Sequence, residues 1–280
     1  VVGRGELTDN AWNVIEPLLP LQGAGRRWRE HRQVINEILW KLRTGAPWRD
    51  LPERYGLWKT CHERLRRWTI DGTWEKILQA AIVKDDAVGD VEWIISIDST
   101  VVRAKRGSTR GEIEALQVDG ECIGRSRGGL STKFHLAVDG RGLPMSVILT
   151  PGQDGDNPQL LPLLDQISIP RPGRGCARQR LESVLADKAY SHPSTRAALS
   201  KRRIRFTSPE RVDQIARRKA KGSAGGRPPK TDLVEYKQRN VVERCLNRLK
   251  QFRDFATRYA KRAVYFKSEI LLAATVLWLR

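Results

Sequence analysis

Over the first 85 positions apolar residues recur at spacings of three and four, whereas from Val91 they come in short unbroken runs. The chain therefore reads as a helical segment followed by a mixed α/β one. Thr8 stands before AWNVIEPLL, which Pro20 ends, and HRQVINEILWKLR keeps helical spacing up to Gly45. LWKTCHERLRRWTI runs to the break at Asp71-Gly72, and Thr73 is placed to cap WEKILQAAIV. Seven of the nine tryptophans fall between Trp12 and Trp74, enough aromatic area for a small core of its own.

Beyond Val91 the isoleucine-rich run VEWIISID predicts a buried strand, and KFHLAVDGRGLPMSVILT predicts two strands joined at Asp-Gly-Arg-Gly. Asp156 or Asn157 is placed to cap a helix PQLLPLLDQI, and SVLAD is a further apolar strand. A helix near Ser194 to Lys201, a short strand RIRFT and a long helix from about Leu233 to Phe255 follow. The last helix, KSEILLAATVLWL, is apolar on nearly every side and belongs in the core. Three strands, helix, strand, helix, strand, helix is the order of a ribonuclease-H-like α/β domain. The expected division is a helical domain over residues 1–90, resembling a helix-turn-helix, and a ribonuclease-H-like domain over residues 91–280.

Charge narrows the partners. The 280 residues carry 51 Lys and Arg against 32 Asp and Glu, a formal net charge of +19, so polyanions are attracted and nucleic acid is the expected partner. Residues 1–90 hold 15 basic and 13 acidic side chains, so almost the whole excess lies in the second part. Its densest stretch runs from Leu199 to Lys230 with eleven basic and two acidic residues. The Gly/Pro-rich end of that stretch reads as a basic linker near 207–232, with Arg217, Arg218, Lys219 and Lys221 as candidate DNA contacts. On the third helix, Lys59, His62, Arg66 and Arg67 face away from Cys61, Leu65 and Trp68, a face suited to a DNA groove. The four cysteines form no CxxC pair, no run of eighteen apolar residues exists, and no signal pattern opens the chain. A cytoplasmic, nucleoid-associated protein without a membrane role is expected.

The chemistry is carried by carboxylates. Metal-assisted phosphodiester cleavage needs several of them converging on divalent ions, and magnesium prefers such oxygen ligands. Sites in open α/β sheets lie beyond the carboxyl ends of strands, where Asp98 ends WIISID and Asp187 ends SVLAD. On the predicted long helix Tyr236, Arg239, Glu243, Asn247 and Lys250 share one face, with Val241, Val242, Cys245, Leu246, Leu249 and Phe252 opposite. Asp254 falls on the polar face as a rival to Glu243, while Asp139, Asp154 and Asp156 sit in turn or cap contexts.

YKQRNVVERCLNRLK has the form Y-x2-R-x3-E-x6-K and resembles the signature of insertion-sequence DDE transposases, the insertion sequence 5 family above all. LTDNAWNVIEPLLP, RTGAPWRDLPERYGLWKT, IDSTVVRA, GRSRGGLSTKFHLAVDGRGLP, LTPGQDGD, LADKAY and GGRPPK are similar to family sequence as well. After IDSTVVRA the chain departs from the family, with KRGSTRGEIEALQVDGECIG in place of a His-rich, Ala/Gly-rich segment. The resemblance implies Asp98, Asp187 and Glu243 as catalytic metal ligands for two Mg2+ ions, with Mn2+ as a substitute. Tyr236, Arg239 and Lys250 become phosphate or DNA-end contacts. It also implies a homodimer acting on double-stranded DNA, both terminal inverted repeats and target. Two other readings share part of these features: a domesticated DNA-binding protein without catalysis, and a metal-dependent nuclease that cuts without joining.

Overall fold

The computed structural model describes residues 5–21, 28–104, 120–126, 128–171 and 175–280. Most of the segment that departs from the family, after Ala104, lies outside these residues. Helix α1 (Asp9–Ile15) starts where Thr8 Oγ1 accepts from the amide of Ala11 at 3.2 Å, and a 3₁₀ turn through Leu18 continues it. Helix α2 (His31–Thr44) ends at Gly45, whose φ of 67° closes the last turn. Helix α3 (Trp58–Ile70) is preceded by two 3₁₀ turns, Trp48–Asp50 and Glu53–Tyr55. The segment APWRDLPERYG before α3 is thus not the first helix that a helix-turn-helix with α3 would need, and each of its turns has a proline at the N-cap, Pro47 and Pro52. Helix α4 (Thr73–Ala87) has Gly72 at its N-cap, and the carboxylate of Asp71 just before it accepts from the amide of Thr73 at 3.0 Å; Thr73 is its first residue instead of its cap.

The sheet comprises β1 (Ile94–Ala104), β2 (Gly124–Ser126), β3 (Gly129–Val138), β4 (Pro144–Pro151), β5 (Ser183–Ala186), β6 (Arg205–Thr207) and β7 (Thr257–Arg258). Its main order is β4-β3-β1-β5-β6, antiparallel among the first three strands and parallel among the last three. Short β2 also pairs with β3, and β7 with the far end of β1. Helices α5 (Leu160–Asp165), α6 (Pro193–Lys201), α7 (Val212–Ala220), α8 (Leu233–Lys237), α9 (Asn240–Lys250) and α10 (Ala263–Trp278) complete the described elements. Helix α9 buries Val241, Val242, Cys245, Leu246 and Leu249 on β1 and β3, so its apolar stripe fixes which face points outward.

Three expectations change. The predicted 233–255 helix is two helices and a turn: it breaks at Gln238-Arg239, and Phe252 is extended before a 3₁₀ turn at Arg253–Phe255. The stretch near 207–232 is not bare linker, since α7 forms within it and Glu210 pairs with Arg218 at 2.9 Å. The tryptophan-rich helices share one continuous core with the sheet, because α10 packs on β4 and also on α2, α3 and α4. A buried ion triad reinforces that seam: Lys41 Nζ of α2 lies 2.5 Å from Asp254 and 3.2 Å from Glu269 of α10.

Candidate active site

Strand β1 does not stop at Asp98. It runs on to Ala104 because β3 stays paired with it from Ser96 to Arg103, while β5 leaves after Ile97↔Ala186. Asp98 and Asp187 each come one residue after that last parallel pair. Adjacent strands lie about 4.8 Å apart, so the two acids emerge side by side. They are held alike: Asp98 Oδ1 accepts from the amide of Ser99 at 2.8 Å, and Asp187 Oδ1 from that of Lys188 at 2.7 Å. Burial pushes the Asp98 carboxyl up, the charge of Asp187 adds to the rise, and the Ser99 amide and Arg239 oppose it.

The third acid arrives through Arg239, which stands at the start of α9. One guanidinium nitrogen donates to Asp98 Oδ2 at 3.0 Å and the other to Glu243 Oε1 one turn along the helix. Burial works against the guanidinium charge, but Asp98, Tyr236 and Glu243 outweigh it and push its pKa further up. Tyr236 faces the same group, its ring 5.8 Å from the guanidinium carbon, and Lys250 is exposed at the end of α9. The close approach of α9 to the sheet depends on Gly142 in the β3–β4 turn: its φ is 82°, and a Cβ there would stand 3.1 Å from the carbonyl oxygen of Val241.

Among the described residues no three His, Cys, Asp or Glu side chains are grouped closely enough to hold a metal ion as they stand. The guanidinium bridges Asp98 and Glu243 and fills the role of their cation. Asp254 is no rival to Glu243: it is 1% exposed and bound to Lys41, because the break after α9 turns it inward.

Asp156 was not legible as part of this site. Its side chain caps nothing; instead Oδ1 accepts from Ser99 Oγ at 2.7 Å and from Lys133 Nζ at 3.0 Å. Buried Tyr190, in LADKAY, is likewise nearby. Burial drives its phenol well above the ordinary range, and Asp156, Asp98 and Asp187 add to the rise. The only sequence signal for Asp156 was the LTPGQDGD block, where the following Asn-Pro invites a cap assignment.

The candidate DNA contacts are dispersed. Lys59, Arg66 and Arg67 are exposed on α3, with both arginines bonded to Glu63, at 3.2 Å for Arg66 and 3.3 Å for Arg67. His62 is half-buried with its ring edge-on to Trp48 at 5.6 Å, and burial lowers its pKa. On and just after α7, Arg217, Lys219 and Lys221 are exposed, whereas Arg218 is committed to Glu210. No helix among the described residues is long and apolar enough to cross a membrane.

Comparison with known proteins accounts for both parts of the chain. Residues 89–279 match the family model "Transposase DDE domain", and residues 7–78 match "Putative transposase of IS4/5 family". A putative transposase for insertion sequence element IS6501 from Brucella ovis is 32% identical over 151 residues, 54% of this chain and all of that protein. A putative transposase for insertion sequence element IS402 from Burkholderia cepacia is 37% identical over 139 residues, 50% of this chain and 57% of that protein. No solved structure matches. The DDE domain match implies a ribonuclease-H-like fold, with which the mixed sheet agrees.

Proposed function

The chain belongs to the DDE transposase family, and from that premise we propose that it binds the terminal inverted repeats of an insertion sequence and catalyses strand cleavage followed by strand transfer. Asp98, Asp187 and Glu243 are its reacting carboxylates. The observation that carries this reading is that Asp98 and Glu243, remote in sequence, share one guanidinium while Asp187 leaves the sheet beside Asp98.

The donor set fits a hard divalent cation: it is all oxygen, Asp98 is desolvated, and its charge already draws a cation in Arg239. Asp98, Asp187 and Glu243 would hold magnesium, or manganese in its place, which when bound polarises the phosphodiester and supplies hydroxide from water at neutral pH. For those carboxylates to act as ligands Arg239 must release them, and the two non-bridging oxygens of a DNA phosphate give its guanidinium a new bidentate partner. Tyr236 and Lys250, on the same side of the Arg239 segment, complete a contact to the DNA end. Residues 1–90 act as the DNA-binding domain through Lys59, His62, Arg66 and Arg67, residues 91–280 as the catalytic domain, and the protein works as a homodimer on two element ends.

Glu243→Gln tests the assignment, since it keeps size and hydrogen bonding but removes the charge a divalent ion requires. Cleavage of element-end DNA in magnesium falls by orders of magnitude, while DNA binding without metal is unchanged or slightly tighter. Parental cleavage by Glu243→Gln would reassign the third ligand. Absence of strand transfer from a pre-cleaved end by the parent chain would favour a nuclease that does not join.

A further inference from the structure

Three polar groups on two strands converge on Asp156, whose side chain makes no cap hydrogen bond to the turn it precedes. Ser99 Oγ on β1 donates to Asp156 Oδ1 at 2.7 Å, and Lys133 Nζ on β3 donates to the same oxygen at 3.0 Å. Lys133 also reaches the carbonyl of Asp154 at 2.6 Å, so the loop after β4 is tied to β3 twice. His135, directly opposite Ser99 in the β1–β3 register and fully buried, brings Nδ1 within 3.8 Å of Asp156 while Nε2 meets Thr150 Oγ1 at 3.0 Å.

Ser99 therefore has two tasks in one residue. Its amide holds Asp98 Oδ1 at 2.8 Å and its hydroxyl is held by Asp156. The next residue, Asn157, accepts from Thr195 Oγ1 on α6 at 2.9 Å, so the loop is braced on its other side as well. Tyr190, 1% exposed, lies beside the same Ser99, and the charges of Asp156, Asp98 and Asp187 all bear on its hydroxyl. Asp156 is thus part of the same electrostatic environment as the acid pair, not a remote loop residue.

We propose that Asp156 is a positioning residue for the carboxylate site: through Ser99 it fixes the rotation of the Asp98 segment, and so the affinity of the site for its divalent ion. Lys133 keeps Asp156 aimed, and His135 closes the back of the arrangement against β4. The inference rests on the assignment of Asp98 as a metal ligand and goes beyond it by naming what orients that ligand. Outer partners of metal ligands commonly change metal affinity by about 10- to 100-fold when removed.

The test is equilibrium Mn2+ binding to the full chain, read by loss of the free-ion paramagnetic resonance signal, together with the magnesium dependence of element-end cleavage. Ser99→Ala and Asp156→Ala each weaken Mn2+ binding by about 10-fold or more and raise the half-saturating magnesium by a similar factor, with a smaller change at saturating metal. The double variant is no weaker than the worse single one, because both changes break the same link. Ser99→Ala removes only a hydroxyl, so it reports even where Asp156→Ala does not fold. Unchanged metal affinity in Ser99→Ala, or additive losses in the double variant, overturns the proposal. Asp98→Asn separates the two levels: if it too leaves Mn2+ binding and cleavage intact, the site assignment fails, whereas if it abolishes both while Ser99→Ala does nothing, the positioning role alone fails.

Discussion

Lys41→Met should damage the protein far more at pH 7.5 than at pH 5. Lys41 is 4% exposed, between Asp254 at 2.5 Å and Glu269 at 3.2 Å, each at most 3% exposed, so one ammonium faces two buried carboxyls. Burial pushes both acids up, Glu269 to about 7, while Lys41 holds them back. Burial disfavours the ammonium too, but Glu269 and Asp254 more than compensate and raise its pKa. Methionine fills nearly the same volume without charge, leaving the acids to be neutralised by protons alone. Removing one partner of a buried pair costs about 3 to 5 kcal/mol near neutral pH, because the carboxyls left behind must be protonated on folding, and that cost shrinks as pH falls toward their unfolded pKa. The sign follows from linkage. An acid whose folded pKa is raised binds more protons folded than unfolded between about 4.5 and 7, so its contribution is complete at low pH and is lost as pH rises through that window. The variant should lose about 3 to 5 kcal/mol at pH 7.5 and only about 1 to 2 kcal/mol at pH 5. Urea unfolding followed by tryptophan fluorescence measures this, with Trp48 stacked 5.3 Å from the Lys41 ammonium as a local reporter. Adding Glu269→Gln to Lys41→Met should recover part of the loss at pH 7.5. A loss below about 1 kcal/mol, or one equal at both pH values, would refute the triad as the tie between α2 and the C-terminal segment.

Replacing Arg217, Lys219 and Lys221 by Gln should weaken DNA binding on all sequences alike and flatten its salt dependence by up to about three units of slope, while Arg218→Gln loses its ion pair with Glu210 and changes the slope least; salt titrations of binding decide it. Gly142→Ala should lose about 1 to 2 kcal/mol of stability through its positive φ and also slow cleavage, by pressing on Val241 and shifting Glu243. Gly72→Ala, with φ of 71° and nothing within 4 Å of the added carbon, should lose similar stability with cleavage unchanged, a comparison made by unfolding and cleavage assays on both variants.

Local pattern carried the pieces whose neighbours are close in sequence. The β3–β4 hairpin was readable from its Asp-Gly-Arg-Gly turn, and the apolar runs ending at Asp98 and Asp187 each needed only a few residues to be recognised. The polar side of α9 was readable because Val241, Val242, Cys245, Leu246 and Leu249 define its opposite. What failed to show depends on partners far along the chain. The extension of β1 past Asp98 follows its pairing with β3, and the β-branched run Thr100-Val101-Val102 was too short a signal beside polar Asp98 and Ser99 to carry the strand on. The end of α9 at Lys250, followed by extended Phe252, has no glycine or proline to mark it, so a helical wheel carried across it put Asp254 on the wrong side. The bridge from Arg239 to Asp98 and the hold of Asp156 on Ser99 are contacts between side chains whose residue types fit a solvated face or a cap equally well. The merging of the tryptophan helices with the sheet core escaped for the same reason: the apolar faces were visible, but not which faces would meet.

Because α10 lies against α2, α3 and α4 as well as β4, the order in which the molecule is made matters to how it folds. Helices α2, α3 and α4 leave the ribosome with an apolar surface, and with Lys41 lacking both of its acids, until Asp254 and Glu269 have been synthesised. Contacts spanning 213 and 228 residues close late, since the entropy of joining distant chain ends must be overcome before they return anything. A nascent chain is thus a set of partly covered helices beside a sheet that lacks its last layer, a species open to chaperones and proteases. The layer over α2, α3, α4 and β4 closes only with the arrival of the sixteen-residue helix Ala263–Trp278.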